Sequence, residues 1–122
     1  MILIVVVVFY GCSDKVVDNT QLHAVHGTVR GNVYDSGTKH PVPDAKVVGL
    51  GFSDSKYQSF DSCITDSNGF YILQVTSLLY RNHDTGHAGL EVYKEGYKIW
   101  MSNPIYFHDQ DIIEIIPFLD KQ

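Results

Sequence analysis

The amino-acid sequence predicts an all-β protein, an antiparallel β-sandwich of about seven short strands. Three observations carry that prediction. Apolar residues recur at alternate positions from Val25 onward, which places them on one face of an extended chain. Clusters of Gly, Pro, Asn and Asp break the alternation at intervals of roughly ten to fifteen residues. No stretch repeats its apolar residues with the period of an amphipathic helix.

Taken in order, Met1 to Tyr10 is an apolar run that stops at Gly11-Cys12 and the polar Ser13-Asp14-Lys15. A helix that crosses a membrane needs about 20 apolar residues, so this run has instead the length of a secretory signal's apolar region. Gly11 offers little bulk at the point where a signal peptidase cuts. The alternative is that Val5 to Val8 form a strand and Cys12 is an ordinary thiol. Ser13 to Ala24 is polar and without sustained periodicity, a tether that reaches roughly 20 Å as a coil and about 40 Å when pulled straight.

Val25, Gly27, Val29, Gly31 and Val33 alternate with His26, Thr28, Arg30 and Asn32, which predicts a first strand with a small, β-branched inward face. Two turn clusters, Asp35-Ser36-Gly37-Thr38 and Pro41-Val42-Pro43-Asp44, lead to a second strand from Ala45 to Leu50. A third covers Tyr57 to Thr65, with Phe60, Ser62 and Ile64 sharing a face. Asp66-Ser67-Asn68-Gly69 reads as a hairpin turn, because Asn-Gly accepts positive φ. The fourth strand, Phe70 to Thr76, places Tyr71, Leu73 and Val75 together. Ser77 to His87 reads as irregular. Ala88 to Glu95, Tyr97 to Ser102 and Ile112 to Phe118 complete the set. Lys46, Glu91 and Glu114 put charges inside strands, where they are expected to discourage edge pairing.

The formal net charge of −5 argues against nucleic acid as a partner and against electrostatic docking on anionic lipid, both of which call for a basic face. Cys12 and Cys63 are the two cysteines. Lipid on Cys12 would leave Cys63 unpaired, and Cys63 reads as a small, inert, buried side chain.

Met1 to Cys12 resembles the signal and lipobox of bacterial lipoproteins. The resemblance implies that residues 1–11 are removed and Cys12 is acylated on sulfur, that residues 12–24 form the tether, and that the protein sits in the cell envelope facing the periplasm or the cell surface. Four blocks, Gly27 to Arg30, His40 to Val47, Thr65 to Leu73 and Leu90 to Tyr97, resemble in that order the carboxypeptidase regulatory-like domain, a transthyretin-like (prealbumin-like) β-sandwich module, here assigned to residues 25–122. This second resemblance implies that Tyr71 faces inward with Leu73 and Val75 while Phe70 and Ile72 stay partly exposed or lie under a neighbouring loop. It also implies a turn at Gly96 and a Tyr97 ring that caps the core. In that family the module accompanies peptidases, outer-membrane receptors and adhesive proteins as a non-catalytic part, so it brings a scaffold and no cofactor.

Three constellations have the residue types for chemistry or binding. His83-Asp84-Thr85-Gly86-His87 with His108 is the best metal candidate, and it underlies the alternative of a small metal-dependent hydrolase. Its spacing shares a face only on a helix, whereas Gly86 and its polar neighbours suggest a loop. Asp66 to Gly69 starts like a calcium loop but lacks the closing glutamate. Tyr93, Tyr97, Trp100, Tyr106 and Phe107 gather aromatic rings in the final third, and exposed Tyr and Trp stack on sugars or anchor protein partners. The expected function is a lipid-anchored, non-catalytic binding or scaffolding module that docks an envelope protein or a surface glycan through Tyr93, Tyr97, Trp100 and Tyr106.

Overall fold

The computed structural model describes residues 22–54 and 58–122. The expectations for the signal, Cys12 and the tether as far as Gln21, and for the first residue of the third strand, Tyr57, lie outside the described residues. Among those described there are ten strands and no helix: β1 (Leu22–Asn32), β2 (Tyr34–Asp35), β3 (Lys46–Phe52), β4 (Ser59–Ile64), β5 (Phe70–Tyr80), β6 (Gly86–Tyr93), β7 (Trp100–Met101), β8 (Ile105–Phe107), β9 (Asp111–Glu114) and β10 (Phe118–Leu119). They form a three-stranded sheet in the order β5-β1-β9, a two-stranded β10-β2 pair, and a five-stranded sheet in the order β4-β3-β6-β7 with β8 also on β6.

β1 and β5 pair antiparallel along their full lengths, from Leu22 opposite Tyr80 to Asn32 opposite Phe70. Both alternate as an extended chain with one apolar face should. Val25, Val29, Tyr71, Leu73 and Val75 are buried, while Phe70 and Ile72 are exposed. Val47, Leu90, Val92, Ile105 and Phe107 join them in one buried cluster from the five-stranded sheet. Each such side chain contributes about 1.5–3 kcal/mol when fully removed from water. Phe107 is therefore core rather than part of an exposed aromatic group. Its ring fills space left by Gly27 and Gly86, where an added Cβ would stand 2.8 and 2.5 Å from ring carbons.

Several expectations are corrected. Pairing is not wholly antiparallel, since β9 runs parallel to β1 and β10 parallel to β2. The Asp66 to Gly69 turn has the expected local chemistry. Gly69 has φ 75°, and Asp66 Oδ1 accepts from the Asn68 and Phe70 amides at 2.9 Å each. It does not close a hairpin, because β4 pairs with β3 and β5 with β1. Turn residues fix local dihedrals, whereas the choice of partner strand is made by long-range burial, and here the turn carries the chain from one sheet to the other.

The irregular stretch is shorter than Ser77 to His87. Ser77 to Tyr80 continue β5, and β6 starts at Gly86. Ser77 hides the apolar alternation because it is a buried hydroxyl, one that donates to the His87 carbonyl at 3.1 Å and accepts from the His87 amide at 3.0 Å. Tyr97 to Ser102 shrinks to β7, and Tyr97 itself meets Lys121 as an isolated bridge. Ile112 to Phe118 splits into β9 and β10. Pro117 sits at the break, where its missing N–H cannot extend a ladder. Lys46 and Glu91 do not guard edges, because β3 lies between β4 and β6 and β6 lies between β3 and β7. Glu114 does lie on the edge strand β9, 3.3 Å from Arg30.

The two large sheets meet at one margin and part at the other. A Cβ on Gly51 of β3 would collide with the Thr76 carbonyl oxygen of β5, so the backbones touch there. Ser59 Oγ also donates to that oxygen at 2.9 Å, and the Asp54 amide donates to the Leu78 carbonyl at 3.0 Å. Across the opposite margin a groove separates the β7–β8 segment from β9.

Candidate functional site

The groove at the open margin has a volume of about 580 Å³ and is lined by Trp100, Ser102, Asn103 and Tyr106 on one bank and Ile113 and Ile115 on the other. Short ladders set the first bank. Val92 pairs with Trp100 and His87 with Tyr106. Between them Ser102 is clamped to β6: its amide donates to the Leu90 carbonyl at 2.9 Å, and its hydroxyl accepts from the Leu90 amide at 3.0 Å. Trp100 is half-buried against the core. Tyr106 is 65% exposed and stacks on His87 with ring centroids 5.2 Å apart. The Tyr106 ring projects from the outer face with His87, whereas Trp100 pairs with buried Val92 and lies on the core side, so the polar strip of Ser102 and Asn103 stands beside the Trp100 ring.

Of the four aromatic candidates, Trp100 and Tyr106 both border this groove, with their rings on opposite faces of the sheet. Tyr93 and Tyr97 line a separate cleft of about 430 Å³ with Asp44, Lys46, Lys94 and Glu95. Tyr93 donates to Glu91 Oε1 at 2.6 Å, and this bond to the carboxylate raises its pKa. Tyr97 is a strut. Its hydroxyl donates to Asp35 Oδ2 at 2.7 Å, and the ring packs on the core. Asp35 Oδ1 accepts from the Gly37 and Thr38 amides at 2.8 Å each, and Lys121 Nζ lies 3.9 Å from Oδ2. The Thr38 amide first, then the Tyr97 hydroxyl, hold the Asp35 carboxyl down to about 2.

The histidines do not converge. His83 Nδ1 lies 2.6 Å from Asp54 Oδ2. The Tyr80 amide, which donates to the same carboxylate, and then His83 lower the pKa of Asp54. His108 Nε2 is 3.4 Å from Thr85 Oγ1, and its Nδ1 is 3.8 Å from Asp111 Oδ2. His87 meets Phe52 and Tyr106. Among the described residues no three His, Cys, Asp or Glu side chains come together as a set of metal ligands. Cys63 is half-buried, and burial pushes its thiol pKa up, away from the thiolate that reacts.

One feature escaped sequence reasoning. On β3 the outward residues Val48, Leu50 and Phe52 are larger and more apolar than the inward Val47, Gly49 and Gly51. The outer face of the five-stranded sheet consequently carries an apolar recess of about 200 Å³ over Gly89, walled by Leu50, Phe52, Met101 and Pro104. The inverted size pattern of β3 was the signal.

No family model matches the chain, and no characterised relative matches it in sequence. Its fold is similar to that of two solved enzymes. Chlorocatechol 1,2-dioxygenase from Pseudomonas putida is 11% identical with a TM-score of 0.55, over 80% of this chain and 61% of that one. 3-Chlorocatechol 1,2-dioxygenase from Rhodococcus opacus 1CP is 13% identical with a TM-score of 0.53, over 84% and 62%. This chain thus spans about three fifths of those enzymes, and the likeness is one of fold alone.

Proposed function

We propose that the chain is a non-catalytic binding module of the bacterial envelope, a two-layered β-sandwich of the carboxypeptidase regulatory-like kind, tethered through lipid on Cys12 and docking a surface glycan in the Trp100–Tyr106 groove. The groove carries this reading. Its volume falls within the range of about 300–1,000 Å³ common to ligand sites, and it sets the Trp100 ring beside Ser102 and Asn103, the pairing of apolar face and polar edge that a sugar ring presents. The net charge of −5 favours an uncharged ligand over an anionic one.

Trp100 is the single tryptophan of the chain, so its fluorescence reports the groove directly. Titration with a panel of glucan oligosaccharides is expected to shift or quench that emission. Asn103→Ala, which removes an exposed amide from the groove, is expected to weaken binding several-fold, in line with the loss of one hydrogen bond, while changing stability by less than about 0.5 kcal/mol. Emission indifferent to every oligosaccharide sinks the glycan reading. The anchor has its own test. Intact mass of membrane and soluble fractions from a bacterial host should show residues 1–11 missing and acyl mass added, and Cys12→Ala should abolish both. Two or more acyl chains, each CH₂ worth about 0.8 kcal/mol, are what stable attachment requires.

A further inference from the structure

We propose that the groove at the open margin is a slot and not a platform, an inference that rests on the glycan reading and adds its specificity: the slot selects β-linked pyranose chains whose ring hydroxyls are all equatorial, the gluco configuration, over chains with an axial hydroxyl. The two sheets supply opposing walls. Trp100 pairs with buried Val92 and belongs to the inner face of the five-stranded sheet. Ile113 pairs with buried Val29 on β1, and Ile115 lies two residues further along the extended chain, so both belong to the inner face of the three-stranded sheet. All three are half-buried and pack against the core, and the groove of about 580 Å³ is lined by them from its two banks. A flat ring that enters from the margin therefore meets an indole on one face and aliphatic side chains on the other.

Polar groups stand at the rim of the slot. The Ser102 hydroxyl accepts from the Leu90 amide at 3.0 Å, which leaves its own proton to donate. Asn103 is exposed and offers an amide that both donates and accepts, and Pro104 after it holds its backbone extended. On the opposite bank β9 is the last strand of its sheet. Just beyond it the Ile115 amide donates to the Arg30 carbonyl of β1 at 3.0 Å. Successive backbone groups of an extended chain point to opposite sides, so the amide and carbonyl of Glu114 point away from β1, toward the margin.

Apolar walls with polar groups confined to the rim complement an all-equatorial pyranose, whose two faces carry C–H groups and whose hydroxyls lie around the edge. A platform stacks on one ring face and leaves the other in water, where an axial hydroxyl stays hydrated. In a slot, an axial hydroxyl on either face is pressed against indole or isoleucine without a partner, and a buried hydroxyl without a hydrogen bond is penalised. The linkage is selected for the same reason. A β-linkage leaves the ring through its edge and lets the chain run on along the margin, whereas an α-linkage leaves through a face and into a wall.

The test is calorimetric titration of the full chain with four soluble hexasaccharides, Trp100 emission being followed in parallel. Cellohexaose is β-linked and gluco-configured, mannohexaose and galactohexaose are β-linked with an axial hydroxyl on each ring, and maltohexaose is α-linked. Cellohexaose is expected to bind at least about tenfold tighter than each of the others, within the roughly hundredfold by which an apolar pocket rejects one added hydroxyl. Ile113→Thr keeps a β-branched side chain and puts a hydroxyl on one wall, so the preference over the epimer whose axial hydroxyl meets that wall is expected to shrink about threefold or more. Should Ile113→Thr lose the wild-type melting curve, Ile115→Thr makes the same change further along the wall, and the comparison of sugars on the wild-type chain needs neither variant. Equal affinity for cellohexaose and either axial epimer, or for maltohexaose, overturns the slot while leaving a glycan site in place. Binding of none of the four overturns the slot and the glycan reading together. A preference that both threonine variants leave unchanged also overturns the slot, because the discrimination then arises elsewhere.

Discussion

The two margins of the molecule solve opposite problems. At the margin where β3 and β4 meet β5, glycine and backbone bring the sheets together. Gly51 lies against the Thr76 carbonyl, Ser59 Oγ donates to it, and the Gln74 amide donates to Asp61 Oδ2 at 3.3 Å. At the margin between the β7–β8 segment and β9, side chains hold a groove open. The difference teaches where function can reside. Closure by backbone contact leaves no side chain free to bind, whereas beside strands of two and three residues Trp100, Ser102 and Asn103 border open space. Stability and binding are accordingly expected to separate by margin.

Gly51→Ala tests the closed margin and should have the largest effect. Its methyl group cannot be accommodated unless the two backbones part, and overpacking of this kind costs about 3 kcal/mol. Urea unfolding should show the midpoint fall with little change in slope. A Gly51→Ala protein as stable as wild type would mean that the sheets are not in contact there and that the asymmetry of the margins is wrong.

The same asymmetry governs what was legible in the sequence. β1 and the inward face of β5 were readable because alternation is a local signal, and Val25, Val29, Leu73 and Val75 obey it. Trp100 and Tyr106 were recognisable as residue types suited to binding. Their position at one groove, apart from Tyr93 and Tyr97 and with rings on opposite faces, was not, because it depends on which strand each pairs with. The Asp66 to Gly69 turn shows the reason. Its dihedrals are written in Asp66, Asn68 and Gly69, but its role as a link between sheets is decided by burial many residues away. Ser77 misled in the other direction, since a buried hydroxyl with two backbone partners is indistinguishable in sequence from a loop serine. The recess over Gly89 was hidden because glycine looks alike at Gly51, where the fold demands it, and at Gly89, where it does not.

A smaller effect sharpens the comparison through pH. At the closed margin the contact of Gly51 with the Thr76 carbonyl and the bond from Ser59 Oγ to that carbonyl do not titrate, while the carboxylate of Asp54 beside them has a lowered pKa of its own. The C-terminal strands that border the open margin are strapped at their end by Asp35, which receives the Tyr97 hydroxyl and two amides beside Lys121. The carboxyl of Asp35 is held down to about 2, below its ordinary value of about 3.9. Because the folded pKa is the lower one, Asp35 contributes its full stabilisation above about pH 4. That contribution fades as pH falls toward about 2, where the folded carboxylate takes up its proton. Amide exchange at Lys98 and Ser36, which donate to Asp120 and Leu119, is therefore expected to speed up between those two pH values relative to exchange at Gly51 and Ser59, which pair across β3 and β4. Asp35→Asn keeps acceptors for the loop amides but has no charge to lose, so the difference between the two regions should become independent of pH. If both regions lose protection in parallel in the wild type, the Asp35 strap is no weaker in acid than the backbone seam across the molecule, and the two margins are one cooperative unit rather than two.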